Sequence, residues 1–167
     1  MRKSCITLNL LTVFGLLASF QPSLKAGQVS ITVYANNLKT STGVAMPTNG
    51  LVILVASTTN ATFEGPGFGS FTSGDDIEVA RWNLSATANP GELFDAVNEK
   101  ELGGNWGAGD PLALYWYPTM TTASVGPTNG APYGFYRDSN ISTPADGSDP
   151  WITPAAGSSV TLNFLTA

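Results

Sequence analysis

Leu51-Val52-Ile53-Leu54-Val55-Ala56 is an unbroken apolar run, rich in β-branched residues and free of charge or proline. Six residues are few for a helix and typical of a strand, and branching at Cβ favours the extended state. Successive strand side chains point to opposite faces, so apolar residues at every position imply cover on both faces. Leu112-Ala113-Leu114-Tyr115-Trp116-Tyr117, ended by Pro118, is a second run of this kind. Around these two, residues 28–35 alternate, with Val29, Ile31 and Val33 on one face and Ser30, Thr32 and Tyr34 on the other. That is the pattern of a half-buried strand. Residues 77–84 also alternate, with Glu78, Ala80, Trp82 and Leu84 opposite Ile77, Val79, Arg81 and Asn83. Residues 133–137 form a short strand, and 160–165 a last one with Val160, Leu162 and Phe164 on one face.

The connections carry turn chemistry. Pro47-Thr48-Asn49-Gly50 ends in an Asn-Gly pair, both members of which tolerate φ > 0, and predicts a hairpin between 43–46 and 51–56. The same tetrapeptide at 127–130 predicts the same turn again. Residues 58–74 read as a long polar loop with room for a short element at 68–71. One helix is expected at 90–102. Asn89 would cap it, Glu92 and Asp95 would sit at its positive end, and Leu93, Phe94 and Val97 would form an apolar stripe. Lys100 lies near the opposite end, before the stop at Gly103. Many short strands and one short helix predict a mainly β fold, a single antiparallel β-sandwich, with a compact barrel as the alternative.

The chain opens with Met1-Arg2-Lys3, continues through an apolar stretch at 6–20, and reaches Gln21-Pro22-Ser23-Leu24-Lys25-Ala26. This is the charged, apolar and polar succession of an export signal. The expected organisation is a signal peptide at 1–26 and one domain at 27–167, secreted or held in the cell envelope. The apolar stretch is shorter than the roughly 20 residues of a membrane-spanning helix and is broken by Asn9. No membrane span is therefore expected after cleavage. Cys5 lies in the signal, so the remaining chain must be held by packing without disulfides. After residue 26, Lys39, Arg81, Lys100 and Arg137 are the only basic residues against all twelve acidic ones. Such a surface repels nucleic acid, which is bound by neutralising phosphates. The closing Phe164-Leu165-Thr166-Ala167 reads equally as a terminal edge strand or as the cut end of a longer chain.

The sequence contains no histidine, which removes Ser-His-Asp and Cys-His catalysis and histidine-bearing zinc sites. A carboxylate pair could still hydrolyse a glycoside, but no two of the acids stand out by spacing. Asp75-Asp76-Ile77-Glu78 is one acidic knot. Asp138, Asn140, Asp146 and Asp149 mark a loop-like region that could hold calcium through oxygen ligands, or could simply be turn-forming residues. Among the aromatics, Trp116 must point away from Tyr115 and Tyr117. Trp116 and Phe135 read as core. Tyr115 and Tyr117, with Trp106, are open to two readings: core, or a surface platform on which a sugar could stack.

Gly109-Asp110-Pro111-Leu112-Ala113-Leu114-Tyr115-Trp116-Tyr117-Pro118 carries a resemblance, as do Tyr133-Gly134-Phe135-Tyr136-Arg137, Trp151 followed by Pro154, and the closing Val160-Thr161-Leu162-Asn163-Phe164-Leu165-Thr166-Ala167. Together they resemble a group of uncharacterised secreted bacterial proteins of the PEP-CTERM-sorted type. The resemblance implies export and sorting to the surface or matrix, and it implies no activity. The Pro-Glu-Pro motif, apolar helix and basic cluster of the sorting tail are absent from this sequence. Either that tail has been lost with the end of the chain or the protein is released.

These readings converge on a non-catalytic structural or binding module outside the cytoplasm, with an extracellular polysaccharide or a surface protein as partner. A carbohydrate-binding module using Trp106, Tyr115 and Tyr117 is the second expectation, and a carboxylate-dependent glycosidase the third. Oligomeric state is not legible.

Overall fold

The computed structural model describes residues 27–85, 89–138 and 149–164. The expected signal peptide lies outside them. Seven strands form two sheets: β1 (Gln28–Ala35), β2 (Leu51–Ser57), β3 (Asp76–Asn83), β4 (Leu93–Glu101), β5 (Leu112–Tyr117), β6 (Gly134–Tyr136) and β7 (Ser159–Phe164). One sheet has the order β4-β1-β7 and the other β3-β2-β5-β6. They pack face to face as a β-sandwich. The four-stranded sheet is antiparallel. The three-stranded sheet is mixed, because β7 runs parallel to β1, which corrects the expectation of a wholly antiparallel fold.

The two decisive runs take the two central positions of the four-stranded sheet, and every residue of each is buried. Val52, Leu54, Ala56, Leu112, Leu114 and Trp116 point into the space between the sheets, against Val29, Ile31, Val33 and Leu162. Trp116 anchors this core by donating its indole N–H to the Lys39 carbonyl at 2.8 Å. Gly134 lies opposite Trp116 on β6, and a Cβ there would fall inside the indole ring. The missing side chain is what lets the edge strand lie over the tryptophan.

Among the described residues there is no helix. Residues 93–101 form a strand that pairs along β1 from Ala35↔Leu93 to Gln28↔Glu101. Leu93 and Val97 are four residues apart, a spacing that shares a face in a helix and in a strand alike. Phe94 separates the two periods, and it is 76% exposed, on the opposite face from Leu93. There it meets Tyr34 edge-on at 6.1 Å between ring centroids. The strand also absorbs one extra residue opposite Val29–Ile31, with Glu99 at φ 53°.

The expected hairpin around 47–50 does not form. Both edges of β2 are taken by β3 and β5, so no edge remains for 43–46. Those residues turn back on their own predecessors: Ala45 bridges Lys39, and the Met46 amide donates to the Leu38 carbonyl at 2.8 Å. The two Pro-Thr-Asn-Gly copies also turn differently. In the first, Asn49 holds φ 73° and the Gly50 amide donates to Pro47; in the second, Gly130 holds φ 77° and the Ala131 amide donates to Thr128. The second turn is displaced by one residue.

β3 departs from strict alternation through a bulge opposite Leu54–Val55. Ile77 and Val79 pack on the inter-sheet core, and beyond the extra residue so do Ala80 and Trp82. Glu78 and Arg81 are thereby left together on the other face, where they form an ion pair.

Candidate functional site

The outer face of the four-stranded sheet, which a sandwich usually leaves to water, is roofed by loops. Leu51, Ile53 and Val55 of β2 and Tyr115 and Tyr117 of β5 make a second buried cluster with Phe71, against which Phe63 and Met120 pack. Alternation along β5 dictates this. With Leu114 and Trp116 turned toward the inter-sheet core, Tyr115 and Tyr117 must face outward. Their bulk needs cover, and residues from the 58–75 and 118–133 connections supply it.

The cover is largely aromatic. Tyr117 meets Phe71 edge-on at 5.0 Å and stacks with Tyr133 at 5.8 Å, with 27° between the planes. Tyr115 lies edge-on to Tyr133 at 5.8 Å and against Phe135 at 5.3 Å. Phe135 meets Phe63 at 5.9 Å, and the Arg137 guanidinium sits over Phe63 at 5.8 Å. Arg137 also donates to the Ala61 carbonyl at 2.7 Å. A continuous run of rings thus leads from the buried tyrosines to the surface at Tyr133 and Phe135, which are 45% and 47% exposed.

Two clefts open beside this run. One, of about 150 Å³, lies between residues 66–68 and 127–131 with Tyr133 in its wall. The other is an open hollow lined by Thr62, Phe63, Phe135 and Arg137. The loops that frame the first are joined at close quarters: the Gly69 amide donates to the Pro127 carbonyl at 3.0 Å. A Cβ on Gly126 would collide with the Gly69 backbone, so glycine permits this crossing. Among the described residues no carboxylate lines either cleft.

The acidic knot tethers one end of the roof. The Asp75 carboxylate accepts from the amides of Thr59 at 2.6 Å and Asn60 at 3.3 Å. Desolvation pushes its pKa up, but these bonds and one from Ser57 outweigh it and hold the group below the ordinary value of 3.8. The Asp76 carboxylate accepts from the Glu64 amide at 2.9 Å. Its other oxygen, Oδ1, is buried without a hydrogen-bond partner among the described residues. Burial pushes Asp76 up to about 6; the Glu64 amide works against the rise, while the Glu64 and Asp75 charges add to it. The hydroxyls of Tyr115 and Tyr117 are likewise buried and unpartnered among the described residues. Burial raises both phenols above their usual value, and the nearby Asp76 charge adds to the rise at Tyr115.

Compared with protein-family models, with curated proteins and with solved structures, the chain matches none. The site therefore rests on geometry alone.

That geometry corrects the expected aromatic platform. Trp106, Tyr115 and Tyr117 are 5%, 1% and 0% exposed. Trp106 belongs to the inter-sheet core and donates its indole N–H to Thr153 Oγ1 at 2.8 Å. The tyrosines lie on the opposite face of the sheet, so the three line no common groove. Phe135, expected in the core, is half exposed: β6 is a three-residue strand at the edge of its sheet among the described residues. Of the expected calcium ligands, Asn140 and Asp146 lie outside the described residues. Asp138 accepts from the Tyr136 hydroxyl at 3.3 Å, and Asp149 accepts from the Thr161 amide at 2.6 Å. Among the described residues no group of three or more acidic, histidine or cysteine side chains is arranged to hold a metal. Sequence reasoning assigns no site role to Phe63, Phe68 or Tyr133; it places Tyr133 at the start of a short strand and Phe68 in a short element. All three lie in loops, where no periodicity signals which ring will be covered.

Proposed function

We propose that this protein is a non-catalytic, exported structural or binding module. Its contact surface is the ring-lined, loop-roofed face of the four-stranded sheet. The observation that carries the reading is the exposure of Tyr133 and Phe135 at the end of a buried aromatic stack, beside two clefts. Rings held by packing have little rotamer freedom to lose on binding, which favours their use as anchors. The export signal in the sequence and the excess of acidic residues support a role outside the cytoplasm, in a surface layer or polysaccharide matrix. Among the described residues neither cleft offers a carboxylate pair, so the geometry gives the glycosidase reading no support.

Hydroxyl-radical footprinting tests the proposal. The protein is labelled alone and in the presence of matrix isolated from the cells that make it. Protection is expected at Phe63, Phe68, Tyr133 and Phe135, with the outward-facing Phe94 of the other sheet unchanged. Unchanged labelling throughout, or protection confined to Phe94 and Tyr34, would sink it.

A further inference from the structure

We propose that the cleft between residues 66–68 and 127–131 is a subsite for one unit of an uncharged polysaccharide, with the free face of Tyr133 as its platform. This deepens the binding-module reading and rests on it.

Three features of the cleft point to a neutral sugar. First, Tyr133 is fixed: it stacks on Tyr117, is braced edge-on by Tyr115, and its hydroxyl packs close against Gly65. One side of the ring is thus occupied by protein, while Tyr133 as a whole is 45% exposed and lines the cleft. A sugar presents a flat C–H surface of complementary character to such a π-face, which carries partial negative charge. Second, among the described residues no charged one lines the cleft. A nucleotide or acidic polymer would bring anions with no cation to meet them, against a chain whose acidic residues outnumber its basic ones. Third, the cleft is also lined by the 127–131 turn, whose Thr128 and Asn129 bring a hydroxyl and a carboxamide to a small space. That supply of donors and acceptors suits hydroxyl groups better than it suits an apolar ligand, which needs a deeper apolar pocket. Phe68, 85% exposed at the rim, offers a second ring to a neighbouring unit of the same chain.

Affinity electrophoresis provides the test. The protein is run through native gels containing hydroxyethyl cellulose, xyloglucan, galactomannan or dextran, with alginate as the anionic counterpart. Retardation is expected in at least one neutral polymer and not in alginate. Tyr133→Ala and Phe68→Ala are each expected to weaken it at least tenfold, while Tyr133→Phe retains it and Phe94→Ala leaves it unchanged. Phe68 is so exposed that its loss cannot be confused with misfolding. Retardation by none of the neutral polymers, or retardation that survives both Tyr133→Ala and Phe68→Ala, would overturn the subsite. If the footprint still falls on Tyr133 and Phe135 in that case, the binding module stands and its ligand is not a neutral sugar. If the footprint is absent as well, both proposals fail.

Discussion

Replacing Asp76 by Asn removes a charge while keeping the shape of a buried side chain. The wild-type carboxylate accepts from the Glu64 amide, and among the described residues its Oδ1 is buried without a partner, beside the Glu64 and Asp75 charges. Asn can accept the same amide bond through its carbonyl oxygen and brings no charge to desolvate. Burial raises Asp76 from 3.8 to about 6. A raised carboxyl favours the protonated folded form, so its contribution to stability is complete below pH 3.8 and is lost as pH rises through about 6. A rise of about two pH units corresponds to a ceiling of ~3 kcal/mol. Asp76 opens β3 beneath the 58–75 loop, and with a discount for solvent screening roughly half of that, ~1–2 kcal/mol, is expected. Urea unfolding of wild type and Asp76→Asn at pH 4, 5, 6, 7 and 8 measures it. The two proteins should coincide near pH 4, and the variant should be the more stable by ~1–2 kcal/mol at pH 8. A variant less stable than wild type at pH 8, or a difference that does not change with pH, would refute the reasoning. Either result would mean that the charged carboxylate is favourably solvated in the fold.

Three further changes test the packing. Tyr117→Phe deletes a buried hydroxyl that has no partner among the described residues, so thermal unfolding should show stability unchanged or raised by up to ~1 kcal/mol. Gly134→Ala drives a methyl group into the Trp116 indole and should cost about 3 kcal/mol in chemical denaturation, with a change in tryptophan fluorescence. Leu54→Ala empties part of the inter-sheet core, where Leu54 is fully buried, and should cost about 2–5 kcal/mol by urea unfolding.

The parts of the fold legible in sequence are those where one burial pattern admits one geometry. An all-apolar run of six residues in β2 and β5 leaves no option but a central strand, and the alternation of β1 dictates which residues face the core. β4 was illegible because its two buried residues, Leu93 and Val97, suit either period, and its end signals imitate a helix start. Only the tertiary fact that β1 has a free edge decides the matter. The Asn-Gly turn misled for a related reason: it specifies a reversal of the chain, not which strand will take the next edge. At the candidate site, the outward direction of Tyr115 and Tyr117 followed from the position of Trp116, but their burial did not. It depends on two loops whose residues have no period and whose crossing at Gly69 and Gly126 is a long-range event.

That crossing also ties the site to its anchor. The loop between β2 and β3 supplies Phe63 to one cleft and Phe68 to the other. It is held at one end by the carboxylates of Asp75 and Asp76, through the amides of Thr59, Asn60 and Glu64, and farther along by the Gly69–Pro127 bond. Tyr133 and Phe135 stand on the other side, fixed by β5 and β6. The rings therefore come from two parts of the fold, one set by sheet packing and one by hydrogen bonds to acids, which the Gly69–Pro127 and Arg137–Ala61 bonds join. Asp75→Ala removes the acceptor for two loop amides without touching a ring. It should loosen the roof, raising amide exchange at Thr59 and Asn60 while leaving the β5 amides protected. Faster exchange in β5 as well would show that the roof and the sheet open together, and that the tyrosine stack depends on its cover as much as the cover depends on the stack.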